Sequence, residues 1–170
     1  MKTRLLIACA AAFGCASLLI AQSGVSISAD AKRSYEGVKR NILNAVNKMP
    51  EDAFSYKATP DVRSYAQVVN HITEAQMHGC AAVLGKSPQA AGEPKSSKAD
   101  VVTALKQSFD ECDQAFDALT DSNATEAVSS PRGQRSKLGI LIGVIGHDDE
   151  QWGILSVYMR LKGIKPTGAE

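Results

Sequence analysis

An excess of charge of either sign is missing from this sequence. Its 19 Lys and Arg stand against 18 Asp and Glu, a formal net charge of +1, which points to neither a nucleic acid nor an anionic surface as partner. No segment reads as a convincing strand, no internal repeat is visible, and Gly133-Gln134-Arg135-Ser136 is no phosphate loop. Histidine is scarce, with three in the chain, and of the four cysteines neither Cys80 nor Cys112 sits in a context that would make it a nucleophile. What remains is 170 residues, enough for one domain with a real core and too few for two.

The chain opens on "MKTRLLIACAAAFGCASLLIAQSG". Lys2 and Arg4 make a short basic start, Leu5 to Ile20 is uncharged and apolar, and Ala21 before Gln22 ends the run on a small residue, which is the build of a secretory signal. The expectation is a signal peptide over 1–21, an exported and periplasmic domain over 22–170, and no membrane contact after cleavage. A retained anchor is disfavoured because the apolar run is at the short end of the roughly 20 residues that a span needs. A lipoprotein is disfavoured because Cys15 lacks a branched apolar residue three positions before it. Cleavage would leave 17 basic and 18 acidic side chains, a net charge of −1, and two cysteines, Cys80 and Cys112, in a compartment that permits disulfides. These either pair or remain buried thiols, and sequence alone leaves both open.

The mature part reads as four helices. Tyr35, Val38, Ile42, Val46 and Met49 recur at three- and four-residue steps until Pro50 stops them. An ordered connection with Pro60 follows, and then Ser64 as the N-cap of "YAQVVNHITEAQMHGCAAVLG", where Val68, Ile72, Ala75, Cys80 and Val83 mark a buried side and Gly85 the stop. A Ser-, Pro- and Lys-rich loop leads to a third helix with Val102, Leu105, Phe109, Cys112, Phe116 and Leu119 in register. A second polar loop, "DSNATEAVSSPRGQR", holds an Asn123-Ala124-Thr125 sequon read as chance. The last helix runs to Gly163 and Pro166. Four amphipathic helices must bury their stripes against one another, so the fold class is all-α, a four-helix bundle. At roughly 3.3 Å per extended residue each connection can cross the length of a bundle, which leaves the helix order open.

His71 is central to the second helix and His147 to the last, and facing helices of a bundle are where metal centres are built. A lone helical histidine is more often a hydrogen-bonded core or boundary residue, which is the reading for His78, about 10 Å along the axis from His71. Residues three and four apart share a face, so His147 has Glu150 and Gln151 beside it and His71 has Glu74, while Asp148 and Asp149 are expected to point elsewhere into solvent. H-x-x-E thus occurs twice, a two-histidine, two-carboxylate set that a divalent metal accepts. Tyr158 is expected to pack and Arg160 to face water or the helix C-terminus.

The segments "MPEDAFSYKATPDVRSYAQVVNHITEAQ", "KADVVTALKQSFDECDQAF" and above all "IGHDDEQWGILSVYMRLKGIKP" resemble the DinB-like (DinB/YfiT) superfamily over nearly all of the mature chain. The resemblance implies a four-helix bundle with an atypical helix order and a zinc or nickel ion held by three histidines, one on the second helix and two spaced four apart on the last. Position by position, these fall on His71, His147 and residue 151, which here is Gln151. A neutral amide oxygen is a poor zinc donor beside imidazole, and losing even an outer partner costs about 10- to 100-fold in affinity. Glu150 could take the third place, which would shift the preference toward manganese or iron. Some relatives are thiol S-transferases in which the metal activates a low-molecular-weight thiol, a cofactor class of the reducing cytoplasm that suits an exported chain badly.

Three functions follow from these residues. The first is an exported DinB-like module with a degenerate ligand set that binds a divalent metal weakly or not at all, has no assignable activity, and serves as a binding or stress-related module through the cleft between the second and last helices, with an unknown small molecule as candidate partner. The second is a metal-dependent hydrolase or thiol S-transferase with His71, His147 and Glu150 or Gln151 as ligands. The third is a metal-free protein stapled by Cys80 and Cys112. Bundles of this type often pair through exposed apolar faces, so a homodimer is an expectation as well.

Overall fold

The computed structural model describes residues 24–87, 93–130 and 133–167. The signal peptide expected over 1–21 lies outside the described residues. Four helices carry the fold: α1 (Ile27–Lys48), α2 (Tyr65–Val83), α3 (Lys98–Ala118) and α4 (Lys137–Leu161). Each starts where a serine side chain can accept an otherwise unpaired backbone N–H: Ser26 from Ala29, Ser64 from Gln67, Ser97 from Asp100 and Ser136 from Gly139. At Ser64 the Gln67 side chain answers the N-cap backbone and completes a capping box. Gly85 (φ 68°) and Gly163 (φ 73°) take the left-handed turn that releases the chain beyond α2 and α4.

The apolar stripes meet in one core. Val38, Ile42 and Val46 of α1, Val69 and Ile72 of α2, Leu105 and Phe109 of α3, and Leu141 and Leu155 of α4 are all buried in it. α2 packs on α3 and α4, and α1 packs on α4 and, less extensively, on α3. Round the bundle the helices therefore run α1, α4, α2, α3, with the consecutive pair α1 and α2 on a diagonal. The connection between that pair is ordered through its aromatics. Phe54 packs edge-on to Tyr65 at 5.3 Å, and Tyr158 of α4 donates its hydroxyl to Arg63 O at 2.6 Å. Tyr158 is buried and Arg160 exposed, as their places near the end of α4 predict.

The second polar loop differs from its reading as irregular chain. It forms a two-stranded antiparallel hairpin, β1 (Ala127–Ser130) and β2 (Gly133–Ser136), in the register Ala127 to Ser136. Only Ala127 and Val128 in these strands are apolar, and they are adjacent, so there is no alternation for a sequence reading to detect. The hairpin leans on the ends of α2 and α4. Those two helices come close: a Cβ added to Gly79 would stand 2.5 Å from the Val144 side chain. Across the other face of α2, Cys80 and Cys112 of α3 are joined in a disulfide with Cα atoms 5.0 Å apart.

Candidate functional site

His71 of α2 and His147 of α4 point at each other, their Nε2 atoms 3.1 Å apart. Both rings are half-buried at the seam of the two helices and meet edge to face at 4.8 Å between centroids. Burial first, then the Arg63 and His147 charges, hold the His71 imidazole below its ordinary range, while Glu74 and Glu150 pull it back up. His71 is therefore neutral, with a lone pair to offer, at a lower pH than a free histidine.

One turn along α4, Gln151 is only 4% exposed, and its amide oxygen Oε1 is buried with no hydrogen-bond partner. A buried acceptor without a donor costs about 1–3 kcal/mol, so this oxygen is an open valence at the seam. Glu150, by contrast, is exposed. Among the described residues no three His, Cys, Asp or Glu side chains gather closely enough to hold a metal. His78, two turns beyond His71, lines the mouth of a cavity that also reaches His147.

Asp148 departs most from expectation. Read as solvated, it is 0% exposed in the bundle interior. Its Oδ2 accepts from Gln76 Nε2 of α2 at 2.7 Å, and Gln76 Oε1 accepts from the Ser108 hydroxyl of α3 at 2.7 Å. Its other oxygen, Oδ1, stands 3.7 Å from His147 Nδ1, within ion-pair reach and beyond a hydrogen bond, and neither atom has a hydrogen-bond partner. The physical reason is that α4 is flanked by both α1 and α2 and buries more than one narrow stripe. The signal was present in the sequence: Val144, Ile145, Gln151 and Leu155 stand three, four and seven residues from Asp148, and all are buried. Gln76 sits likewise between Ile72 and Cys80, and Ser108 between Leu105 and Cys112.

Residues 34–155 match the sequence model of the DinB superfamily, which is most of the chain. The chain belongs to the DinB superfamily. Among solved structures it is similar to a DinB-like protein of Bacillus cereus ATCC 10987, at 15% identity and a TM-score of 0.72, covering 85% of this chain and 98% of that one. A DinB-like protein of Bacillus subtilis matches at 15% identity and a TM-score of 0.63, covering 79% and 92%. A conserved protein of Enterococcus faecalis matches at 10% identity and a TM-score of 0.66, covering 81% and 98%. At such identities the likeness establishes the fold. No curated protein matches the chain.

The residues of this DinB bundle suit a divalent metal in part. Two imidazole nitrogens bound to one tetrahedral zinc at about 2.0–2.1 Å each lie roughly 3.3 Å from one another, and the two Nε2 atoms stand at 3.1 Å. Gln151 follows His147 by four residues on the same face of α4, and its buried oxygen has no hydrogen-bond partner. Asp148 Oδ1, 3.7 Å from His147 Nδ1, is too far to orient that ring by a hydrogen bond.

The interior carboxyl of Asp148 also carries a cost. Burial outweighs the pull of the neighbouring His147 and the hydrogen bond from Gln76, and holds it above the usual carboxylate range. A carboxyl that binds its proton more tightly folded than unfolded loses the chain stability as pH rises from the unfolded value, about 4. Asp148→Asn keeps the acceptor for Gln76 and removes the charge. It is expected to raise the melting temperature of the metal-free protein by a few degrees at pH 7, a gain that shrinks toward pH 4. Scanning calorimetry at the two pH values checks this, and an equal shift at both would mean that the ionised carboxylate carries no penalty.

Proposed function

We propose that this protein is an exported DinB-family module that binds one divalent metal ion through His71, His147 and Gln151, weakly for lack of a third imidazole. The observation that carries the reading is the approach of the two Nε2 atoms to 3.1 Å from separate helices, with the partnerless Gln151 oxygen on the same face of α4 as His147. The two rings share an Nε2–Nε2 hydrogen bond, and the same approach is a sound beginning for a ligand set. Export is supported by the signal-like first 21 residues and by a disulfide, which persists in oxidising compartments. A metal here would polarise a bound oxygen or thiol. The cavity that reaches His147 leaves room for such a group, which is the observation favouring the second reading, a metal-dependent hydrolase or transferase.

Elemental analysis after incubation with zinc and removal of excess tests the proposal. The expected result is one zinc per chain, lost in His71→Ala and in His147→Ala and retained in His78→Ala. A protein that stays metal-free after exposure to zinc, nickel and manganese would overturn it.

A further inference from the structure

Between α2, α4 and the hairpin lies a cavity of about 750 Å³ whose walls include Ala82, Val128, Ile140 and Val144. Its lining spans Ala75 to Ala82 of α2, about 10 Å of helix, and continues to Gly85 and Lys86 beyond the helix end. The charged and titratable groups around it are Lys86, Arg135, His78 and His147, with no Asp or Glu among them. Lys86 is already engaged by Glu111 at 3.6 Å. Arg135 is different. Among the described residues no carboxylate pairs with it, yet its guanidinium is held in place. Its Nη2 donates to Gly139 O, and its Nη1 lies over Gly143, where an added Cβ would come within 3.3 Å. A side chain at 143 would push the guanidinium away, so the bare backbone of α4 seats it. Gly143 is one helical turn, about 6 Å, from His147.

A held guanidinium without a carboxylate partner, seated over Gly139 and Gly143 beside an apolar groove, matches one chemistry. It is a carboxylate, met by the planar fork of the arginine, on a hydrocarbon body that the walls desolvate. We infer that the α2–α4 groove binds a medium-chain carboxylic acid anion, its headgroup on Arg135 and its chain along Ala82, Ile140 and Val144 toward His147. The inference rests on the reading of this cleft as a ligand site, though not on the metal. Its test is therefore run on the full mature chain after chelator treatment, so that a failure of metal binding leaves the outcome intact.

Isothermal titration with octanoate, octan-1-ol and octylammonium separates the contributions. Octanoate is expected to bind at least about 10-fold more tightly than octan-1-ol, the worth of one charge-assisted hydrogen-bond pair, and octylammonium more weakly than either. Arg135→Gln, an exposed substitution whose folding is verified by circular dichroism, should bring octanoate down to the octan-1-ol affinity. Ala82→Trp, which fills the groove, should remove both. Equal affinity for octanoate and octan-1-ol, an Arg135→Gln variant that binds octanoate unchanged, or no octanoate binding at all would each overturn the inference.

Discussion

Gln151→His is expected to tighten zinc and nickel binding by at least about 100-fold. The substitution exchanges a neutral amide oxygen for an imidazole at a position one turn from His147, on the face where the two Nε2 atoms already meet. Removing an outer partner alone shifts affinity about 10- to 100-fold, and a change in a direct ligand should exceed that. The substitution also removes a buried oxygen that has no hydrogen-bond partner, so the fold has no hydrogen bond at that atom to lose. A 100-fold gain in affinity adds up to about 2.7 kcal/mol of stability at saturating metal, which a thermal melt resolves as readily as a competition titration against a chromophoric chelator. Unchanged zinc affinity in the variant would mean that residue 151 does not share a site with the two histidines.

The second large effect is on the disulfide. Cys80 and Cys112 are 32 residues apart, and closing a loop of that length restricts the unfolded chain by roughly 3–4 kcal/mol. Reduction under native conditions, or Cys80→Ala with Cys112→Ala, should therefore lower the melting temperature by roughly 10 °C. The bond lies one helical turn from the contact between Ser108 and Gln76, which in turn holds Asp148. It ties α2 to α3 beside the Gln76–Asp148 contact, so the zinc affinity proposed above should fall along with stability. Chemical denaturation with and without reductant reads the first effect. Alkylation of the unfolded, unreduced chain followed by peptide mass mapping reads the bond itself, and alkylation at both Cys80 and Cys112 would contradict it.

These effects locate what a sequence alone conveys about the protein. The helices were legible because serine caps and terminal glycines bracket runs of apolar residues at three- and four-residue steps, a purely local signal. The pairing of His71 with His147 was legible because each stands at the middle of a long helix in a bundle, and residues at matching heights meet. The interior polar chain was not read, because Asp148, Gln76 and Ser108 look like solvated residues until three helices are known to converge on them. Their apolar neighbours three and four residues away were the available signal, and an isolated polar residue inside such a stripe is the pattern to look for. The hairpin left no trace, since its four-residue strands carry only the adjacent apolar side chains of Ala127 and Val128 and depend on the helix ends they lean on. The seating of Arg135 depends on glycines at 139 and 143 of a helix that begins just after it, a contact that becomes visible only in three dimensions.

The central claim is that His71 and His147 act together as ligands of one metal ion. Nitrogen NMR of the histidine rings during a zinc titration of the mature protein measures this most directly. Zinc should move the Nε2 resonances of His71 and His147 together, saturating at one equivalent, and leave those of His78 in place. A shift confined to His78, or no response from either central ring, would contradict the account.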